Sequence, residues 1–129
     1  MEPRYEELTA LPLMSYLPAE AMDVMPNCFE LRFENINAGS TRSNKGRLGY
    51  LVSGRGSIRG RELRPDDVFG AGENPMTGKL RLVDEIFSAA SDSRMLWLEG
   101  EILSNVCYRA CWFHGRLVQE LTRRIREAK

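Results

Sequence analysis

The chain has 129 residues, 43% of them hydrophobic and 28% charged, with eleven Gly and six Pro; that suits one domain with a real core and excludes intrinsic disorder. Eighteen basic and eighteen acidic side chains cancel, so the excess of cations that a whole-surface nucleic-acid binder needs is missing, and no net repulsion opposes self-association. No apolar run approaches the roughly 20 residues of a membrane-spanning helix. Met1 to Glu7 is acidic where a signal peptide is basic, so a soluble, cytoplasmic protein is expected.

Taken in chain order, Pro18 to Met25 predicts a short helix, with Pro18 in its first turn and Pro26 ending it. Cys28 to Glu34 alternates: Phe29, Leu31 and Phe33 point one way and Glu30, Arg32 and Glu34 the other, the period of a half-buried strand. Asn35 to Gly49 reads as turns with a weak strand around Ile36. Tyr50 to Ile58 gives two strand pieces flanking a bend at Ser53-Gly54-Arg55-Gly56, where glycine permits positive φ or a close backbone approach. Arg61 to Gly70 predicts a short strand, a Pro65-Asp66 turn and a new strand start. Arg81 to Ser88 and Arg94 to Glu99 are two further strands, with a polar turn between them. Short strands at this spacing indicate a β-sandwich or barrel. From Glu101 the period becomes helical. Ile102, Leu103, Val106 and Cys107 fit one helix; Phe113, Leu117, Val118, Leu121, Ile125 and Ala128 form the stripe of a second, interrupted by nothing stronger than Gly115. The expected division is residues 1–100 for an N-terminal helix and β domain, and 101–129 for C-terminal helices.

Charge is uneven along the chain. Residues 1–34 carry seven acids and two bases, and the last turns reverse this with Arg116, Arg123, Arg124, Arg126 and Lys129. Bases there suit the negative end of a helix dipole, and a solvated face is the ordinary reading of such a run. Cys28, Cys107 and Cys111 form no CxxC pair, which rules out a disulfide framework and a four-cysteine zinc site from one chain.

Several segments resemble the effector domain of the Crp/Fnr transcription regulators, a cyclic-nucleotide-binding fold. Leu11-Pro12-Leu13 with Leu17-Pro18-Ala19-Glu20 is similar to that family's opening helix. Gly49 to Ile58 resembles its "Y-x-V-x-S-G-x-V" strand and bend. Leu63 to Gly70 resembles "L-x-P-G-D-x-F-G", with Asp66 in place of the usual Gly. Arg94 to Glu99 matches the strand that leads into the helices. The resemblance spans residues 11–126 and implies a mainly β fold with flanking helices: a double-stranded β-roll, or jelly roll, plus a long C-terminal helix.

It also implies where a ligand would sit. Family members that bind nucleotide follow "F-G" with a short helix and loop. A Glu there takes the ribose hydroxyl, and an Arg-Ser/Thr-Ala run neutralises the cyclic phosphate. On that alignment Ala71 replaces the Glu, Glu73 comes two residues late, and Val83, Asp84 and Glu85 stand where Arg-Ser-Ala belongs. Carboxylates beside a phosphodiester repel it, and a buried unpaired anion is costly. Arg81, two residues early, keeps the strand face but is a poor substitute. Arg59 to Glu62 is also short for the family's hairpin over the pocket. The expected effector pocket is Phe69, Gly70, Ala71, Gly72 and Glu73 with Arg81 and Val83, holding an unknown small molecule rather than cyclic AMP.

Phe113, Leu117, Leu121 and Ile125 are expected to form a coiled-coil-like dimer seam. The family's DNA-reading domain follows the long helix, so DNA contact is expected only through a domain not present in this sequence. Cys107, Cys111 and His114 share one helix face and could serve a haem or redox sensor, although buried thiols in a packed helix explain them as well. A cupin-like barrel enzyme would need several inward-facing histidines, and His114 is the single one. That also leaves Ser53, Ser57 and Ser104 without a triad. Gly54, Gly56 and Gly60 precede no Gly-Lys-Ser/Thr. The expectation is a non-enzymatic sensor module, with no metal and no resident cofactor.

Overall fold

The computed structural model describes residues 7–8, 10–15, 31–99, 103 and 112–127, with side chains from Gly115 onward in the last stretch. The expected helix Pro18–Met25, the start of the strand from Cys28, the first C-terminal helix apart from Leu103, and the side chains of Cys28, Cys107, Cys111, Phe113 and His114 lie outside the described residues.

Among the described residues, a 3-10 turn, Pro12–Met14, precedes ten strands: β1 (Leu31–Ile36), β2 (Thr41–Ser43), β3 (Arg47–Ser53), β4 (Gly56–Ile58), β5 (Arg61–Leu63), β6 (Val68–Phe69), β7 (Ala71–Glu73), β8 (Leu80–Leu82), β9 (Ile86–Ala89) and β10 (Ser93–Glu99). Helix α1 (Trp112–Glu127) follows. All pairing is antiparallel: one sheet runs β1-β10-β3-β6, a second runs β2-β9-β4-β5, and β7 with β8 forms a separate hairpin. The fold is mainly β, two four-stranded sheets rolled face to face with a C-terminal helix on the outside.

The sheets differ because their surroundings differ. In β10, Met95, Leu96, Trp97 and Leu98 are all buried, and in β3 so are Leu48, Tyr50 and Leu51. Successive side chains point to opposite faces, so continuous burial means that both faces of this sheet are covered. The inner face packs Ile36, Leu51, Phe69, Met95 and Trp97 against Ile58, Leu63, Phe87 and Ala89 of the second sheet. Phe33, Leu48, Tyr50, Leu96 and Leu98 form the outer layer, under Leu13, Met14 and α1. The second sheet alternates instead: Ile86 and Ser88 are exposed while Phe87 and Ala89 are buried.

Three expectations are corrected here. Leu117, Leu121 and Ile125 do not form a free seam for a second chain; they are 0%, 0% and 5% exposed against their own roll. The helix lies against β6, β7 and the 3-10 turn, and its stripe joins one apolar cluster with Leu8, Leu11, Leu13, Met14 and the outward side chains of β3 and β10. Second, Arg81 to Ser88 is not one strand. β8 belongs to the hairpin and β9 to the second sheet, and between them the side chain of Asn44 donates to the Val83 carbonyl and accepts from the Glu85 N–H, both at 2.9 Å. Fully buried Asn44 thus draws residues 83–85 out of any ladder. Third, Asn35 to Gly49, expected as turns with a weak strand around Ile36, contains the end of β1, all of β2 and the start of β3. Among the described residues, no helix is long and apolar enough to cross a membrane.

Candidate functional site

The expected pocket residues share one hairpin and its root, since Ala71 pairs with Leu82, Gly72 with Arg81 and Glu73 with Leu80. Their side chains go to different places. Phe69 points into the roll, where its ring stacks on Phe87 at 6.0 Å between centroids and meets Trp97 edge-on at 5.6 Å. Glycine makes room for this: a Cβ on Gly49 would lie 2.1 Å from the Phe69 ring, and one on Gly56 would lie 2.3 Å from the ring of Phe87. Rings, not solvent, fill this section of the interior.

At one end of that stack, polar groups close over the indole. Trp97 Nε1 donates to Glu34 Oε1 at 2.9 Å, and Arg42 Nε donates to Glu34 Oε2 at 2.9 Å. The Arg47 guanidinium lies 4.3 Å from the Trp97 ring centroid, a cation–π contact. Burial pushes the Glu34 carboxyl up, but the hydrogen bonds from Arg42 and Trp97 outweigh it and leave its pKa below the ordinary value.

Gly70 occupies the point where the chain leaves the roll, at φ +94°, with the Arg47 carbonyl 2.6 Å from where a Cβ would be. Its N–H donates to Glu85 Oε1 at 2.8 Å, and its carbonyl accepts from the Val83 N–H at 3.0 Å. Asn44 Nδ2 also reaches that carbonyl, at 3.4 Å, while bonding the carbonyls of Arg47 and Val83 at 2.9 Å each. A carboxylate of the protein itself therefore sits on the backbone donor of Gly70, and this junction is satisfied from within.

The remaining residues face outward or toward the helix. Ala71 is buried and Val83 half-buried, whereas Arg81 is exposed on β8. Glu73 pairs with Arg126 of α1. A groove of about 720 Å³ runs beside Glu85 on the outside of the roll, lined by Ser43, Ser57, Ser88, Arg59 and Asp84. Arg59 spans it to donate to the Asp84 carbonyl at 3.3 Å.

Sequence reasoning placed acids at residues 84 and 85 but expected them only to repel an anion. It missed Asn44, for which the turn composition Asn44-Lys45-Gly46 was the available signal, and it missed the Glu34–Trp97 bond, which sequence spacing does not reveal. The short helix implied after "F-G" is replaced by the β7–β8 hairpin. Among the described residues no three His, Cys, Asp or Glu side chains gather as a metal site.

No protein-family model matches the chain, and no curated protein is similar to it. Solved structures are. A candidate cyclic-nucleotide-binding protein from Geobacter metallireducens GS-15 superposes at a TM-score of 0.70 and 13% identity, over 98% of each chain. The N-terminal domain of a transcriptional regulator from Streptomyces coelicolor A3(2) gives 0.53 at 17% identity, over 94% of this chain and 90% of that one. The sensor domain of the transcriptional regulator DNR from Pseudomonas aeruginosa gives 0.50 at 16%, over 92% and 78%. Kinase regulatory subunits and a channel domain are similar as well. At these identities the likeness is one of architecture: this chain has the cyclic-nucleotide-binding-like fold.

Proposed function

We propose that the chain is the non-catalytic effector module of a Crp/Fnr-like transcriptional regulator, with a nucleotide site that no longer takes cyclic AMP. One observation carries the second half of this reading. Glu85, in the segment where the family resemblance calls for an Arg-Ser-Ala run, has its carboxylate bonded to the Gly70 N–H. An incoming phosphate would have to displace that carboxylate and then remain beside it, with Arg81 exposed on the far strand of the hairpin rather than poised to neutralise it. The aromatic packing of Phe69, Phe87 and Trp97 supports the same conclusion, because a base and ribose entering there would have to displace rings already in van der Waals contact.

The regulator context is supported by the fold shared with the Streptomyces regulator domain and the DNR sensor domain. In that context DNA would be contacted by a separate domain. Pairing of two copies would use a surface other than Leu117, Leu121 and Ile125, which the roll already covers. A small effector, if the module takes one, would act by favouring one position of α1 over another.

Thermal unfolding with added cyclic AMP tests the reading. A ligand present at about 100 times its Kd raises stability by about 2.7 kcal/mol, several degrees for a domain of this size. With cyclic AMP in the tens of micromolar the midpoint is expected to stay where it is. A rise of several degrees would restore nucleotide binding and remove the basis for a degenerate site.

A further inference from the structure

Helix α1 is held to the roll by more than its apolar stripe. Arg124 is 6% exposed, although it carries a full charge. Its Nε donates to Asp66 Oδ1 at 3.0 Å and its Nη1 to Glu120 Oε1 at 2.8 Å. Asp66 Oδ1 also accepts from the Tyr50 hydroxyl at 2.6 Å, and Tyr50 is a buried side chain of β3. One carboxylate oxygen therefore joins a central strand of the roll to the helix.

The position of that carboxylate is built in. Asp66 has φ +78°, a region that disfavours residues with a Cβ and is occupied by Gly in the "L-x-P-G-D-x-F-G" pattern that this segment resembles. The turn is pinned to β3 on both sides: the Asp66 N–H donates to the Leu51 carbonyl at 2.8 Å, and the Leu51 N–H donates to that of Asp67 at 3.0 Å. The Arg64 N–H donates to Asp67 Oδ2 at 2.8 Å. A strained residue persists where its surroundings over-determine it. In this case the strain presents a carboxylate to Arg124. Two residues farther along α1, Arg126 pairs with Glu73 of β7. The helix is thus tied to both segments that flank β6, the Pro65-Asp66 turn before it and the β7–β8 hairpin after it.

We propose that Asp66, Tyr50 and Arg124 form a latch that fixes α1 on the roll, and that Glu73, through Arg126, couples the position of the β7–β8 hairpin to that latch. A displacement of the hairpin pulls on α1 two residues from Arg124, so the hairpin and the latch open together. The inference goes beyond the proposed function and does not depend on what the roll binds.

Amide hydrogen exchange along the full chain tests it, because exchange reports local opening separately from global unfolding. Asp66→Gly is the informative substitution: it removes the carboxylate at a position whose φ glycine accepts without strain. In D66G, α1 amides are expected to exchange about tenfold faster, as loss of a charge-assisted hydrogen bond implies, while β3 and β10 amides keep their protection. E73Q is expected to accelerate the same α1 amides. In D66G/E73Q the acceleration is expected to be less than the product of the two single effects, because both open one element. Unchanged α1 exchange in D66G would overturn the latch. Equal acceleration of α1 and β10 would show that the contact serves global stability only. Independent, multiplying effects of D66G and E73Q would overturn the coupling. Y50F, which leaves the turn and all charges intact, repeats the latch test in a background free of backbone change: faster α1 exchange supports it, and exchange like the wild type counts against it.

Discussion

Close approach between Gly49 and Phe69 is where a single atom decides whether the roll can close. A methyl group on Gly49 would occupy space held by the Phe69 ring, and the ring cannot retreat because Phe87 and Trp97 back it. Overpacking of a filled core costs roughly 1–3 kcal/mol or more. Gly49→Ala is expected to lower the urea midpoint accordingly, and Phe69→Leu is expected to destabilise G49A less than it destabilises the wild type, since the smaller side chain relieves the clash. Equal effects of Phe69→Leu in the two backgrounds would show that the ring is not what excludes the methyl. Asn44 acts at the same scale, but through polarity: it is buried and bonded to Arg47, Gly70, Val83 and Glu85, so it joins β2, β3 and the hairpin root without contributing apolar area. Residues of this kind are hard to foresee. An Asn beside Lys-Gly announces a turn, and only the folded chain shows that its side chain faces inward.

Among the elements, strands bounded by turn residues are legible from the sequence: β4 to β6 and β10 fall within or next to their expected spans, β3 overlaps its span but begins at Arg47, inside the segment expected as turns, and α1 begins one residue before Phe113. Arg81 to Ser88 misled because its composition suits a strand throughout. The break at residues 83–85 is imposed by Asn44 and Gly70, which lie far away in sequence. The stripe of α1 reads as a buried face, but periodicity does not say what buries it; β6, β7, the 3-10 turn and the apolar cluster they share do. Ion pairs then set the helix in place, and their pH dependence follows from Glu120. The hydrogen bond from Arg124, followed by that from Arg123, holds the Glu120 carboxyl below the ordinary glutamate value. A group whose pKa is lower in the folded state contributes stability that is complete above the unfolded pKa and is lost as pH falls through the folded one. Glu34 is shifted in the same direction. The urea midpoint is therefore expected to fall as pH drops from about 5 to about 3, with a shallower dependence in Glu120→Gln. A variant that matches the wild-type slope would show that the Glu120 pairs contribute nothing to folding.

For the molecule as a whole, the sequence resemblance led to the right architecture, and the solved structures share it at identities too low to carry ligand or activity. Between this chain and the nucleotide-binding pattern lies a small set of exchanges: a hairpin for a helix, Val83 to Glu85 for Arg-Ser-Ala, and packed rings within the roll. On the proposed reading, they put an internal carboxylate where that pattern places an external anion. The most direct measurement follows the amide signals of Gly70, Ala71, Gly72 and Val83 by heteronuclear NMR while cyclic AMP is added to about 1 mM, a concentration that would detect binding as weak as about −4 kcal/mol. The Glu85 carboxylate on Gly70 predicts that these signals stay in place. A saturable displacement of the Gly70 amide with a micromolar midpoint would contradict the account.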